Sequence, residues 1–355
     1  MTESEHAQII NLDEGRRRMA GAGRERCLTV VAGGRTCRNY AGASGHCRIH
    51  EPAGGAPPAE GRGHEARAGA AGAAGGDELD DAIANALAFL RRRLSGDYAI
   101  DAFGFDRELT EQVMLPLARP LYRRYWRVRA VGLEHVPDEG PALVVANHSG
   151  TLPFDAVMTK MALLDEHPAR RHLRELAADL ALKVPVISSL ARKSGSTLAC
   201  GDDARRLLAE GELVGVWPEG YKGLGKPYRD RYRLQRFGRG GFVGVALRAQ
   251  VPIIPTAIIG AEEIYPMLAD VRWLARLLSL PYLPVTPTFP LLGPLGAVPL
   301  PTKWVIDFGE PIDTTAYGPE AADDPMAVFE LTDRVRDTIQ QMLYRNLMGR
   351  RSIFF

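Results

Sequence analysis

From residue 81 onward, short apolar runs alternate along the chain with longer amphipathic stretches. The apolar, β-branched runs at 142–146, 213–217 and 251–259 predict buried strands, the last of them broken by Pro252 and Pro255. Apolar residues that recur three or four positions apart predict helices at 81–94, 108–125, 154–164, 171–182, 202–208, 242–249 and 325–348. Strands that alternate with helices in this way are typical of an α/β fold.

Proline and capping residues refine several of these elements. Pro116 and Pro120 should kink the helix at 108–125, because each removes a backbone donor. Asp202 is a suitable N-cap for the helix at 202–208, and residues 184–190 form a short apolar segment. Residues 121–127 mix aromatic rings with arginines, which suits the headgroup level of a membrane or a helix packed on the domain with its arginines in solvent.

The first 76 residues lack this pattern of apolar positions. Residues 1–26 are polar and are expected to be disordered. Residues 51–76 are Ala, Gly and Pro with scattered charge, a composition that cannot bury a core and predicts a flexible linker. We therefore expect the folded domain to extend from residue 77 to residue 355, with its N-terminal helices within 81–126.

Residues 27–50 carry three cysteines and a histidine, Cys27, Cys37, Cys47 and His50. Thiolates and an imidazole suit tetrahedral Zn²⁺, and the spacing from Cys47 to His50 is typical of a chelating pair. The segment resembles a small bacterial Cys-Cys-Cys-His module, which implies a structural zinc site. The spacing from Cys27 to Cys37 is wider than in usual zinc sites, so reduced cysteines in a disordered arm are the alternative.

Composition places the chain among ordinary globular proteins. Of its 355 residues 46% are hydrophobic and 25% charged, and the net charge of +1 gives no reason to expect nucleic acid as a partner. The N-terminus lacks the apolar core of a signal peptide, and three of the four cysteines are bunched near the start rather than spread as a disulfide framework. A reducing cytoplasm is the expected location.

The longest uncharged run, residues 277–301, is long enough by count to span a bilayer. It contains seven prolines, which remove too many backbone donors for a spanning helix. We expect instead a buried or interface-facing irregular hairpin, which could line an apolar tunnel for an acyl chain.

His148 stands two residues after the predicted strand at 142–146, and Asp155 lies at the start of the next predicted helix. Histidine titrates nearest neutrality, and a carboxylate partner can fix its tautomer and stabilise its protonated form. The two residues therefore form a candidate general base with its orienting acid. The alternative is a structural histidine beside a loop.

Four separated segments resemble the sequence blocks of the glycerolipid acyltransferases, the lysophosphatidic acid acyltransferase superfamily. They are Asn147-His148 with Asp155, Arg192 with Gly195, residues 216–222 (Val-Trp-Pro-Glu-Gly-Tyr-Lys), and residues 251–255 (Val-Pro-Ile-Ile-Pro). Residues 260–266 (Gly-Ala-Glu-Glu-Ile-Tyr-Pro) are similar to the bacterial branch grouped with mono- and diacylglycerol acyltransferases. The resemblance covers about residues 100 to 345 and implies a mixed sheet flanked by helices.

Two departures from the family pattern affect the expected site. The family places four residues between its histidine and aspartate, whereas six lie between His148 and Asp155. Asp155 reaches the imidazole only if the loop bulges, and Glu219 is the other carboxylate that the blocks bring nearby. The third block usually ends in Thr-Arg but here ends in Tyr221-Lys222, which keeps the charge and loses the bidentate fork suited to phosphate.

The resemblance implies transfer of a fatty acyl group from acyl-CoA or acyl carrier protein to a glycerolipid hydroxyl. His148 would act as base with Asp155 or Glu219, while backbone N–H groups near Gly150 or the next helix start stabilise the oxyanion. The implied substrate-binding residues are Arg192, Lys193, Gly220, Lys222, Pro252 and Pro255. No cofactor is required for this chemistry. An enzyme of this kind is expected at the inner face of the cell membrane, in lipid metabolism such as phospholipid biosynthesis.

Between residues 222 and 239 seven cations are interleaved with three aromatic residues. A strip for nucleic acid is conceivable, but an anionic membrane surface or the phosphates of the acyl donor fit an acyltransferase better, and a solvated loop is the simplest interpretation. A second hypothesis for the whole chain follows from the long spacing of His148 and Asp155. It is a catalytically silent lipid- or partner-binding protein that the Cys27–His50 module directs to its target.

Overall fold

The computed structural model describes residues 30–31, 35–36, 74–178, 185–277 and 281–354. The chain divides into two units, residues 1–81 and 82–355. In the first unit, strand β1 (Val30–Val31) pairs antiparallel with β2 (Arg35–Thr36). The predicted zinc ligands Cys27, Cys37, Cys47 and His50 lie outside the described residues, as do the predicted arm at 1–26 and the linker up to residue 73.

The N-terminal helices extend further than the sequence pattern indicated. Helix α1 (Ala74–Ser95) begins seven residues before its predicted start, so it takes in the last three residues of the predicted linker. Residues 107–125 are helical throughout: α2 (Arg107–Leu109) and α3 (Leu115–Pro120) are joined and followed by π-helical stretches at Thr110–Met114 and Leu121–Tyr125. These wide turns flank the two prolines, where donors are missing from the helical ladder.

The aromatic residues near the end of this helical run pack on the domain. Tyr122 and Trp126 are buried, and the Trp126 ring stacks on Trp304 with centroids 4.8 Å apart. Arg123 and Arg124 are exposed. Of the two arrangements left open for residues 121–127, packing against the domain is the one that the structure shows for these aromatic side chains.

A seven-stranded mixed sheet forms the centre of the second unit. Its strands are β3 (Arg129–Val131), β4 (Ala142–Ala146), β5 (Leu173–Ala177), β6 (Thr197–Leu198), β7 (Leu213–Val216), β8 (Ile253–Ile259) and β11 (Val305–Phe308). Their order is β3-β11-β8-β4-β7-β5-β6, and every neighbouring pair is parallel except β11 with β8. The predicted α/β fold with a mixed sheet flanked by helices is confirmed.

The remaining helices cover the two faces of this sheet or connect its strands. They are α4 (Phe154–Asp165), α5 (Pro185–Lys193), α6 (Gly201–Ala209), α7 (Tyr221–Leu224), α8 (Gly241–Ala249), α9 (Arg272–Leu277) and α10 (Pro325–Gly349). Short 3₁₀ turns lie at Leu133–His135, Tyr228–Asp230, Ala261–Glu263, Gly293–Ala297, Thr315–Tyr317 and Pro319–Asp323.

Strand β4 shows why the apolar runs are continuous rather than alternating. Leu143 and Val145 pack into the core cluster under α6, α8 and α10, whereas Val144 and Ala146 pack into the opposite cluster with α4 and Trp126. Both faces of a largely parallel sheet are covered, so every residue of a central strand is buried. The strand therefore gives the residues after its C-terminal end, Asn147 and His148, a rigid support.

One predicted helix is wrong, and two element boundaries differ. Residues 171–182 were expected to be helical, but residues 173–177 form β5 between β7 and β6, and residues 179–184 are not described. Sheet pairing outweighs the helical spacing here. The described part of the apolar segment at 184–190, residues 185–190, lies within α5. Helix α6 has Cys200 as its N-cap, and Asp202 instead lies in its first turn, bonded to Arg205.

The strand predicted at 251–259 is not broken by its prolines. Pro255 lies inside β8, opposite Val145 of β4, and its carbonyl accepts a hydrogen bond of 2.8 Å from Gly309 N. Gly309 follows the last residue of β11, so the missing proline N–H falls where that ladder ends and costs little. Pro252 precedes the strand, and its carbonyl accepts from Leu143 N at 3.0 Å.

Residues 267–299 make a long excursion between β8 and β11. Strand β9 (Ala269–Asp270) pairs antiparallel with β10 (Pro284–Val285), and α9 lies in the connection. Residues 281–299, where an irregular hairpin was expected, contain β10 and the 3₁₀ turn at Gly293–Ala297, and the antiparallel partner of β10 lies before the predicted segment. Among the described helices of the chain, none is both long and apolar enough to cross a membrane.

Candidate active site

The candidate base, His148, is the second residue after the end of β4. The side chain of Asn147, which is fully buried, continues the sheet: its Nδ2 donates to Ile258 O at 3.0 Å and its Oδ1 accepts from Ile258 N at 2.7 Å. These two bonds fix the chain to β8 at the point where β4 stops. His148 therefore leaves the sheet in a defined direction, at the carboxyl end of two parallel strands, where α/β folds generally bind their ligands.

Asp155 contacts the imidazole of His148 despite the long spacing. Its Oδ2 lies 2.8 Å from His148 Nδ1 and also accepts from Ser149 N at 2.9 Å, while its Oδ1 accepts from Ala156 N at 2.9 Å. The carboxylate is fully buried in the first turn of α4, where the helix dipole favours negative charge. With Nδ1 occupied by Asp155, Nε2 is the imidazole nitrogen left to exchange a proton with a substrate.

The two additional residues are accommodated by an unusual backbone in the loop. Gly150 has φ 96° and Thr151 has φ 60°, both in the left-handed region. A Cβ on Gly150 would lie 2.8 Å from Ala261 O, so this position requires glycine for space as well as for conformation. The N–H groups of Gly150 and Thr151 donate to no acceptor in the described part of the chain. The loop therefore presents two unpaired donors close to the candidate base.

Glu219 holds the backbone of His148 rather than its ring. It follows β7, the neighbour of β4, and its side chain is fully buried. Oε1 accepts from His148 N at 3.0 Å, and Oε2 accepts from Gln235 N at 2.6 Å. Of the two carboxylates left open by the sequence, Asp155 is the one that orients the imidazole, and Glu219 ties the histidine to the loop that follows α7.

Behind Glu219 lies a buried cluster of charges that the sequence did not indicate. Lys226 Nζ lies 3.4 Å from Glu219 Oε2 and 3.2 Å from Glu262 Oε1, and all three side chains are at most 4% exposed. Glu262 also accepts from Tyr232 N at 2.9 Å. Burial, together with the nearby charge of Glu219, raises the pKa of Glu262 to about 7, and Lys226 opposes that rise.

Two further residues pack closely against His148. The ring of Trp217 lies 6.0 Å from the imidazole, centroid to centroid, and its buried indole N–H has no partner among the described residues. Gly223 lies so close that a Cβ there would be 2.7 Å from His148 O. The block at 216–222 and the first turn of α7 thus form a tight wall on one side of the candidate base.

The other residues assigned to substrate binding lie at varied distances from this centre. Gly220 has φ 54° and precedes α7, which begins beside the site, and Lys222 lies exposed on that helix. Arg192 and Lys193 are exposed at the end of α5, and no contact joins their side chains to His148, Asp155 or Glu219 in the described structure.

Pro252 and Pro255 contact strand backbone, as described above. The role of these two prolines in binding substrate stays a prediction. The same holds for Arg192, Lys193, Gly220 and Lys222.

The basic stretch at 222–239 is only partly a surface. Lys226 is buried in the charge cluster, and Tyr232 and Phe237 are buried in the core next to α8 and α10. Arg229, Arg233, Arg236 and Arg239 are exposed. Tyr232 and Phe237 are therefore not available for base stacking, which removes the main reason for a nucleic-acid strip.

The described residues also include no group of three or more His, Cys, Asp or Glu side chains that could hold a metal ion.

A family model described as Acyltransferase matches residues 127–259. An uncharacterized protein of Mycobacterium tuberculosis is 60% identical over 279 residues, which make up 79% of this chain and 78% of that protein. A protein of Mycobacterium leprae, also uncharacterized, is 58% identical over 78% of this chain and 76% of its own length. Residues 127–259 of this chain form a domain of the acyltransferase family. The matched residues contain all four blocks on which the resemblance was based, so that interpretation is confirmed.

More distant similarities extend beyond these mycobacterial proteins. A Bos taurus protein, DGAT1/2-independent enzyme synthesizing storage lipids, is 28% identical over 60% of this chain and 58% of that protein. The crystal structure of the 1-acyl-sn-glycerophosphate (LPA) acyltransferase PlsC from Thermotoga maritima is similar with 19% identity and a TM-score of 0.44, covering 68% of this chain and 82% of that one.

Proposed function

We propose that this acyltransferase moves a fatty acyl group from a thioester donor, acyl-CoA or acyl carrier protein, to a hydroxyl of a glycerolipid, with His148 as general base. The observation that supports this most strongly is the 2.8 Å contact between His148 Nδ1 and Asp155 Oδ2 at the end of β4. The His148 side chain is 13% exposed, whereas that of Asp155 is fully buried, so the histidine is the member of the pair that solvent or a substrate can reach.

The proposed reaction proceeds without a covalent enzyme intermediate. As the acceptor oxygen attacks the thioester carbonyl carbon, His148 Nε2 takes the hydroxyl proton, and Asp155 stabilises the imidazolium. The carbonyl oxygen becomes an oxyanion, for which the unpaired N–H groups of Gly150 and Thr151 are the nearest candidate donors in the loop. Collapse of the tetrahedral intermediate breaks the C–S bond, and the departing thiolate takes the proton from His148.

Cationic residues are available for the anionic parts of either substrate. Lys222, on α7, is an exposed cation within the wall beside His148, and it can contact a phosphate of the donor or acceptor. Arg192 and Lys193 are more remote candidates for the same task. The distant bovine relative is named for storage lipids, which supports a neutral glyceride acceptor, whereas the resemblance of the sequence blocks implies a lysophospholipid; both acceptor classes therefore belong in a test.

The deciding experiment measures acyl transfer by the purified full chain from labelled acyl-CoA, and from acyl carrier protein, to lysophospholipids and to mono- and diacylglycerols. His148→Ala should abolish product while its far-UV circular dichroism and unfolding midpoint remain close to those of the wild type. Transfer to one acceptor class that disappears in the variant would support the proposal. Full activity of His148→Ala would refute the role of the histidine.

The alternative, a catalytically silent lipid- or partner-binding protein, was based on the six residues that separate His148 from Asp155. The direct contact of Asp155 with His148 removes that reason. The Cys27–His50 module remains a proposed structural zinc site with a targeting role. Absence of product with every donor and acceptor, together with loss of localisation on replacing Cys37 and Cys47, would favour this alternative.

A further inference from the structure

The excursion at 267–299 exposes an unusual concentration of large apolar side chains. Six of them, which we call the apolar rim, are between 51% and 85% exposed: Trp273, Leu277, Leu291, Leu292, Leu295 and Val298. Single exposed leucines are normal on proteins. Six within 26 residues of sequence are not, because a concentration of this kind usually marks a surface that meets a membrane or another molecule.

The excursion is anchored firmly at its base. Tyr125 OH donates to Pro299 O at 2.6 Å, Tyr265 OH donates to Ala297 O at 2.5 Å, and Trp126 Nε1 donates to Leu300 O at 3.1 Å. These three donors come from the core beside α4 or from the residues just after β8. The apolar rim is thus presented by a segment that is fixed to the folded domain.

The same excursion is joined directly to the loop that carries the candidate base. Tyr282 OH donates to Thr151 O, and its ring packs so closely on Gly225 that a Cβ there would lie 2.9 Å from it. The charge of Asp155 contributes to raising the pKa of Tyr282, after the larger effect of burial. Leu152, in the loop after His148, and Tyr221, on α7, are exposed as well. Tyr282 therefore joins the excursion to the two segments, the loop after His148 and α7, that carry these exposed side chains.

The charges of the excursion favour an anionic partner. Only Asp270, Arg272 and Arg276 are charged between residues 267 and 299. Asp270 accepts from Leu283 N and pairs with Arg272 at 3.5 Å, so the exposed Arg276 is the cation without an ion-pair partner among these three described residues. Tryptophan, leucines and flanking arginines together are the composition that places a segment at the interface of a bilayer, with rings and apolar side chains below the headgroups and guanidinium groups at the phosphates.

We infer that the apolar rim docks this protein on the surface of a bilayer that contains anionic phospholipid, and that membrane lipid enters the site along Leu152 and Tyr221. The inference rests on the proposed function, because that function explains why the protein would need to dock: an enzyme acting on a glycerolipid must reach acceptors that reside in a membrane. The docking itself is a binding event that can be measured without catalysis.

The test is co-sedimentation of the full chain with vesicles of phosphatidylcholine alone and of phosphatidylcholine with phosphatidylglycerol. The double variant Trp273→Ser/Leu291→Ser should bind at least about tenfold more weakly than the wild type, because two fully inserted side chains are withdrawn. The matched control, Phe329→Ser/Met348→Ser, removes two comparably exposed apolar side chains from α10 and should bind like the wild type.

An activity measurement then separates docking from catalysis. With an acceptor short enough to stay monomeric in water, the rim variant should keep the wild-type rate, and with the same acceptor class in vesicles it should lose rate in parallel with binding. Vesicle binding that is absent in the wild type, or equal in the rim and control variants, would overturn the inference whether or not acyl transfer is found. A change from dimer to monomer in the rim variant without a change in vesicle binding would also overturn it, in favour of a second copy as the occupant.

Discussion

Replacing Lys226 by methionine tests whether the buried charge cluster stabilises the site. Methionine keeps most of the length and volume of the side chain but removes the charge that lies between Glu219 and Glu262. Removing one partner from a buried ion pair typically costs about 3–5 kcal/mol, because the remaining charge is left without compensation. We expect Lys226→Met to lower the free energy of unfolding by about 3 kcal/mol at pH 8, equivalent to a midpoint lower by roughly 6–12 °C.

The cost should depend on pH in a defined direction. The pKa of Glu262 is already raised to about 7 in the folded protein, and loss of the lysine raises it further. A carboxyl whose pKa is higher in the folded than in the unfolded protein contributes stability at a pH below its unfolded pKa. That contribution is lost as the pH rises through the pKa in the folded protein. At pH 5 Glu262 is therefore protonated in the folded variant, and the destabilisation should be smaller than at pH 8.

Urea denaturation followed by tryptophan fluorescence at pH 5 and pH 8 provides the measurement. Lys226→Met/Glu262→Gln removes the second carboxylate and should recover part of the loss at pH 8. Arg229→Met, at an exposed cation three residues away, should change stability by less than about 0.5 kcal/mol. A loss below that value for Lys226→Met at both pH values, or a double variant less stable than the single one at pH 8, would refute the argument.

Two further predictions concern the immediate surroundings of His148. Asp155→Asn removes the carboxylate that orients the ring and stabilises its protonated form, so kcat/KM should fall by about 100-fold or more; a change below twofold in a steady-state assay would contradict that role. Gly223→Ala places a Cβ 2.7 Å from His148 O and should lower the free energy of unfolding by about 1–3 kcal/mol, measured by thermal unfolding. The control is Gly241→Ala, where a Cβ meets nothing within 4 Å and stability should not fall. Equal effects of the two substitutions would count against the close packing at Gly223.

The sequence was most informative where burial is complete. β4, β7 and most of β8 were recognised as apolar runs because a strand covered on both faces admits no polar position. The nearness of Glu219 to His148 was implied by the resemblance of the blocks, not by the apolar runs. The structure gives its physical basis: β4 and β7 are parallel neighbours, so the residues after their carboxyl ends lie at one edge of the sheet.

The pattern failed where distant residues override local spacing. β5 contains Arg174, which is 1% exposed and pairs with Asp101 at 2.6 Å and Glu212 at 3.5 Å. A charged residue in an otherwise amphipathic stretch indicated a solvated helical face at 171–182. Its partners lie 73 positions before it and 38 positions after it, so nothing in the local sequence could have shown that this charge belongs inside a sheet.

The same limitation explains what was missed at the candidate site. The contact of Asp155 with His148 was in doubt because spacing was read as distance, whereas Gly150 and Thr151 take left-handed backbone that shortens the path. Lys226 was counted as one more cation of a basic stretch, because its partners Glu219 and Glu262 lie in two other segments. A spacing rule describes a family's usual loop; the chemistry requires only that the carboxylate reach Nδ1, so insertions in this loop are tolerated wherever the backbone can still close that contact.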